Sequence, residues 1–269
     1  MKSVLTIAGS DSSGGAGIQA DIKTIESYGL FATSAITAIT AQNTKGVRSV
    51  QDIDPAVVAA QIDVVFEDIR PAAVKIGMVS SSAIIEVIAD RLKAHGATNI
   101  VLDPVMVATS GARLIADDAI CALKRYLLPI ADVATPNIPE AEVLAGMTIE
   151  DDGDVNAAAC RISSLTSGAV LIKGGHRENA ADDLLMEYRK DAVWLRSDRI
   201  VTVNTHGTGC TLSSAIASGL AQGDSIESAV RKGKAFVRGA MSTGLNLGGG
   251  SGPLDHMWCH ESPDIAEYR

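Results

Sequence analysis

The chain is predicted to fold as an α/β protein, with helices layered on both faces of a mostly parallel central sheet. Three observations predict it. Short apolar runs rich in β-branched residues alternate with amphipathic helical patterns along almost the whole chain, and right-handed crossovers then give a three-layer α/β/α sandwich. The composition suits helices packed on a buried sheet, with 46% hydrophobic and only 3% aromatic residues. Finally, glycine-bearing polar clusters follow the predicted strands, where ligands of such sheets bind beyond the strands' C-terminal ends.

The elements follow in order. Residues 3–8 (SVLTIA) read as a buried strand that feeds a glycine-rich loop, 9–15, and residues 16–28 as a helix. Strands are expected at 30–40 and 47–53, separated by Ala41-Gln42-Asn43-Thr44-Lys45-Gly46. Pro55 suits a helix first turn and opens the helix 56–69, in which Val57, Val58, Ile62, Val65, Phe66 and Ile69 are expected to share a face. A strand at 72–76 ends in Gly77-Met78; Ser80 or Ser81 then caps a helix to Ala94, and Gly96 suits its C-terminus. A strand at 99–102 ends in Asp103-Pro104-Val105, 117–128 is helical, and a strand at 132–134 ends in Thr135-Pro136-Asn137. Helices at 139–145 and 155–165 precede a strand at 169–172. Antiparallel strands are expected at 184–188, 192–195 and 199–203, and helices at 208–221 and 225–243 close the ordered part. One domain is expected over 1–258, with 259–269 a polar tail open to disorder.

The net charge of -9 gives no basic footprint for nucleic acid or an anionic membrane, so a polyanionic ligand needs a local site. Cys121, Cys160, Cys210 and Cys259 are far apart, without metal-type pairing, and the N-terminus has no secretory h-region. A reduced cytoplasmic setting is the expectation. No stretch reaches the roughly 18 apolar residues of a membrane span.

The chemistry concentrates in Asn204-Thr205-His206-Gly207-Thr208-Gly209-Cys210-Thr211, which runs into an apolar helix. The first amides of a helix have no partner inside it and sit at the positive end of the macrodipole, so a glycine-rich entry is a ready site for phosphate; on these eight residues alone, an ordinary turn with a small-residue cap and a buried cysteine is an equal reading. Cys210 lies in that first turn, where a thiol ionises more readily. Gly15-Ala16-Gly17-Ile18-Gln19-Ala20 matches a dinucleotide fingerprint, but the glycines lie beyond the first strand and the second strand has no acidic residue at its end. A Walker A loop is absent.

Gly9 to Asp21, Thr40 to Thr44, Lys75-Ile76-Gly77-Met78, Asp103-Pro104-Val105, Thr135-Pro136-Asn137 with Glu140, Lys173-Gly174-Gly175-His176 and Asn204 to Thr211 together resemble the hydroxymethylpyrimidine/phosphomethylpyrimidine kinases of thiamin synthesis. These belong to the ribokinase-like superfamily. The resemblance spans about residues 3–256 and implies a kinase with a minimal lid. It also implies MgATP as phosphate donor, a commonly dimeric assembly, and successive phosphorylation of a hydroxymethylpyrimidine and its monophosphate. A pyridoxal kinase of the same branch is the nearest alternative, and a non-catalytic pyrimidine-binding regulator is another.

The resemblance also implies roles for residues. Gly207, Gly209 and Cys210 form the catalytic anion hole. Cys210 is read as the base for the acceptor hydroxyl in preference to a thiol that only orients it. Asn137, Lys173, Thr205 and Thr208 meet the nucleotide, and Asp103 and Glu140 organise Mg²⁺, which needs few carboxylates. On spacing alone, Asn137 and Glu140 are equally a capping box and Lys173 a solvated strand-end lysine. Gly9, Ala16, Asp21, Gln42, Met78 and Val105 are implied to hold the pyrimidine. The planar amide of Gln42 matches a ring nitrogen beside an exocyclic amine. His176 and His206 are read as loop hydrogen-bonders.

Overall fold

The structure, a computed structural model, describes residues 1–107, 116–174, 181–188 and 190–260. Gly175 and His176 of the lysine-glycine motif and residues 261–269 of the expected tail lie outside the described residues. The strands are β1 (Ser3–Asp11), β2 (Phe31–Asn43), β3 (Gly46–Asp52), β4 (Ala73–Ile76), β5 (Ile100–Leu102), β6 (Val133–Ala134), β7 (Ala169–Ile172), β8 (Asp183–Glu187) and β9 (Val193–Leu195). They form one sheet in the order β3-β2-β1-β4-β5-β6-β7-β8-β9. The six strands from β2 to β7 are mutually parallel; β3 closes one edge and β8 and β9 the other in antiparallel pairing.

The helices are α1 (Gly17–Ser27), α2 (Pro55–Asp68), α3 (Ser82–Ala94), α4 (Asp117–Ala122), α5 (Ile138–Ala145), α6 (Asp152–Ser163), α7 (Thr208–Gln222) and α8 (Ile226–Ser242). Successive strand residues point to opposite faces, so each strand feeds two cores. Leu5, Ile7, Val74, Ile76 and Leu102 join the apolar stripes of α2 to α6. Val4, Ala73, Val101, Val133 and Leu171 join α1, α7 and α8 on the other face. The three layers expected from the alternating pattern are thus present.

Boundaries differ where local chemistry overrides pattern. β1 runs on to Asp11 because Asp11 still pairs with Thr40 after a register shift between Ala8 and Ser10, and β2 runs on to Asn43 because Ala41, Gln42 and Asn43 pair with β3. That irregularity falls at Gly9 and bends the strand end toward the rim. The expected helix at 117–128 changes to a π-turn at Leu123–Leu127 and a 3-10 turn at Leu128–Ile130. Pro129 supplies no N–H to continue the ladder. The expected strand at 199–203 does not form. Val201 and Val203 are 97% and 74% exposed, and among the described residues no strand stands beyond β9 to pair with them. The turn after Leu254 stays docked past 258, with His260 Nε2 donating to the carbonyl of Ser27 at 3.0 Å. Among the described residues no helix is long and apolar enough to cross a membrane.

Candidate active site

The two glycine loops pack backbone against backbone. Gly207 is the N-cap of α7 in the left-handed region (φ 84°), and no side chain caps that helix. A Cβ on Gly207 would fall 1.9 Å from the carbonyl of Gly15, and one on Gly17 (φ 56°) 2.2 Å from that of Gly9. Only glycine permits this approach. The first-turn amides of α7 are therefore delivered to the strand ends without a side chain of their own chain to satisfy them.

One carboxylate ties the loops together. Asp11 accepts from Ser13 N and Ala16 N at 2.8 and 2.9 Å, from Ser13 Oγ, and from His206 Nε2 at 2.8 Å. Burial pushes the carboxyl up, but the His206, Ser13 and Ala16 donors outweigh it and hold Asp11 down at about 2. Sequence reasoning left Asp11 unassigned. His206 is the loop hydrogen-bonder expected, and its partner is 195 residues away. The amide of Ala16 is committed to this carboxylate.

Beside α7 lies a cation. Lys173, at the end of β7, donates from Nζ to Asp103 Oδ1 at 2.8 Å; the two side chains are 15% and 2% exposed. Thr135 and Ser213 hydroxyls also donate to Asp103, at 3.2 and 3.4 Å. A Cβ on Gly209 would sit 3.3 Å from Asp103 Oδ2 and 3.4 Å from Lys173 Nζ, so the first turn of α7 rests on this pair. Lys173 is thus no solvated strand-end residue. Burial opposes its charge, but Asp103 and Glu140 outweigh that and raise its pKa.

Asn137 and Glu140 form the capping box of α5: Asn137 Oδ1 accepts from Glu140 N and Glu140 Oε2 from Asn137 N, both at 2.9 Å. The other oxygen, Glu140 Oε1, accepts from Met106 N at 3.3 Å. Burial drives this carboxyl up, Lys173 draws it down, and the balance leaves it near 7. Thr208 Oγ1 and Thr208 N both donate to the carbonyl of Thr205, tightening the turn into α7.

On the other side, Met78 Sδ lies over Gly9, 3.0 Å from where a Cβ would be, and Thr37 Oγ1 donates to the Met78 carbonyl. Val105 is half-buried just after β5. The half-buried Gln42 amide stands 3.4 Å from His206 Nε2. Gly9, Met78, Gln42 and Val105 therefore share a rim with Cys210 and the α7 terminus. Asp21 does not. It is fully buried and its oxygens already accept from Thr6, Lys75 and Ser214, so a carboxylate read as a ring ligand is a support inside the core.

Cys210 also departs from expectation. Gly17 N–H donates to its sulfur and Lys75 favours the thiolate, but burial dominates, reinforced by Asp21 and Asp103, and pushes the thiol up to about 11. The helix terminus does not win this contest.

A family model described as phosphomethylpyrimidine kinase matches residues 11–255. The hydroxymethylpyrimidine/phosphomethylpyrimidine kinase of Haemophilus influenzae is 47% identical over 264 residues, covering 97% of this chain and 98% of its own. Among solved structures, a phosphomethylpyrimidine kinase from Clostridium difficile 630 superposes with a TM-score of 0.79 at 46% identity, over 88% of this chain and 98% of that one. The pyridoxal kinase of Staphylococcus aureus in complex with AMP-PCP gives a TM-score of 0.89 at 34% identity, over 97% and 95%. With its ribokinase-like sheet and its glycine-capped entry to α7, this chain belongs to the phosphomethylpyrimidine kinase family.

Proposed function

We infer that this protein is an ATP-dependent kinase of thiamin biosynthesis. It phosphorylates the hydroxymethyl group of 4-amino-5-hydroxymethyl-2-methylpyrimidine, and then the monophosphate to the diphosphate. The observation that carries the reading is the uncapped start of α7, set between the Lys173–Asp103 pair and the Gly9, Met78 and Gln42 rim. Phosphoryl transfer spreads charge over the moving oxygens, so it needs positioning and preorganised positive potential more than covalent chemistry. The amides of Gly207, Gly209 and Cys210 and the Lys173 ammonium supply that potential, and Asn137, Thr205 and Thr208 edge the nucleotide. Cys210, a neutral thiol, orients the acceptor hydroxyl.

Among the described residues no three acidic, cysteine or histidine side chains gather to hold a metal. Mg²⁺ fits only as an ion held mainly by phosphates and waters, with Asp103 and Glu140 receiving those waters; it would neutralise phosphate charge. Gly9, Met78 and Val105 give the ring apolar contact, and the Gln42 amide pairs with its ring nitrogen and amine. Gln42→Ala should weaken pyrimidine binding about tenfold, a hydrogen-bond-sized loss, with kcat nearly kept. Unchanged affinity in a titration would remove Gln42 from the pocket.

Incubation with MgATP and either the pyrimidine or pyridoxal, followed by phosphorus NMR, tests the function. Monophosphate then diphosphate from the pyrimidine is the expected result; pyridoxal phosphate alone would move the activity to the pyridoxal kinases. The free cysteines fit a reduced, cytoplasmic setting. A homodimer is also proposed, because Phe31, Ile39 and Val50 on β2 and β3 and Val57 and Val64 on α2 leave apolar surface exposed. Light scattering should give twice the chain mass of 27.8 kDa, and the mass of one chain would overturn it.

A further inference from the structure

Lys75 is among the largest fully buried side chains of the molecule, a charged residue in the otherwise apolar run of β4. Its Nζ donates to Asp21 Oδ1 and Oδ2 at 2.8 and 2.7 Å. The same carboxylate accepts from Thr6 Oγ1 at 2.6 Å and Ser214 Oγ at 2.7 Å. Four elements, β1, α1, β4 and α7, thus meet at one ion pair. A Cβ on Gly77 would come within 2.6 Å of Lys75 Nζ and 3.0 Å of Ala8 Cβ, so glycine there is what makes room for the ammonium.

Stability alone does not account for such a pair. Taking both charges out of water costs about as much as their attraction returns, and apolar replacements of similar volume are often neutral or better. What the pair touches suggests another reason. Ser214 lies one helical turn beyond Cys210, so its bond to Asp21 fixes the face of α7 that carries the thiol. The charged groups acting on Cys210 are Lys75 from β4, Asp21 from α1, Asp103 after β5 and Lys173 after β7. Lys75 is the cation fixed on the Asp21 side, as Lys173 is on the Asp103 side.

We propose that Lys75 is a positioning residue for phosphoryl transfer: anchored through Asp21, it sets the first turn of α7 and places a fixed positive charge beside Cys210. The catalytic consequence rests on the kinase reading; the charge at the thiol does not.

The test uses a parent with Cys121, Cys160 and Cys259, all exposed, replaced by serine, which leaves Cys210 the sole thiol. Iodoacetamide reacts with the thiolate, so its rate at pH 8.5 reads the charge beside Cys210 without any substrate. Lys75→Met should slow alkylation about tenfold, the effect of removing one nearby opposite charge. It should also lower kcat about tenfold or more, with the pyrimidine KM within about twofold. A purely structural lysine predicts the reverse, since an unpaired Asp21 loosens the packing and exposes the thiol to faster alkylation. The double variant Asp21→Asn/Lys75→Met buries no charge and should react more slowly than the parent but faster than Lys75→Met. If Lys75→Met does not fold, the double variant is compared with the parent alone. Alkylation as fast as the parent's, or faster, overturns the proposal. Should no pyrimidine turnover be found, the alkylation result still stands and separates the two failures.

Discussion

Replacing Cys210 by alanine is expected to lower kcat about a hundredfold while pyrimidine affinity stays nearly unchanged, which is the scale of loss when a reacting group is misplaced. The thiol sits in the first turn of α7, accepts from Gly17 N–H, and has its pKa pushed by burial to about 11. At neutral pH it is protonated, and anionic phosphates brought beside it would raise it further. A loose transition state asks little of a base, because the acceptor proton leaves late. Two results separate orientation from base catalysis. Cys210→Ser should retain activity within about tenfold of the parent, since a hydroxyl can orient the acceptor but ionises far less readily than a thiol. The kcat of the parent should rise no more than about twofold from pH 7 to 9, as Glu140 completes its ionisation. A thiolate base would instead raise it about tenfold per pH unit over that range, and would leave serine as inactive as alanine.

The fold was legible in the sequence because periodicity and punctuation agreed. β7 matches its apolar run residue for residue, and Pro55, Ser81 and Asn137 stand where helix entry chemistry put them. The expected strand at 199–203 failed because β-branched content describes a preference, and a strand also needs a neighbour. The site was legible as positions more than as roles. Gly207, Gly209, Lys173 and Asp103 came together because ends of parallel strands share one rim. Asp21 went astray because sequence gives a carboxylate's chemistry but not which partners consume it. Asp11 with His206, and Lys75 with Asp21, were illegible as pairs, being set by packing across 195 and 54 residues. Lys75 did leave a signal, a lone cation in an apolar strand, that an account of buried charge would have caught.

Replacing Lys173 by methionine should be the other severe change, lowering kcat about a hundred- to a thousandfold, as when one preorganised donor to a developing charge is removed. Its Nζ is 2.8 Å from Asp103 and packs under Gly209, so the charge cannot swing away to solvent as a surface lysine's would. The substitution has a second effect that must be separated from the first. Among the described residues it leaves Asp103, 2% exposed, with side-chain donors from the hydroxyls of Thr135 and Ser213 alone, and breaking a buried pair on one side typically costs about 3–5 kcal/mol. The double variant Lys173→Met/Asp103→Asn removes the orphaned charge and should recover most of the melting temperature without recovering turnover. If the double variant regained activity along with stability, Lys173 would be a partner for Asp103 and no part of the anion site. If Lys173→Met kept full kcat, the α7 amides alone would suffice for the transferring phosphoryl group.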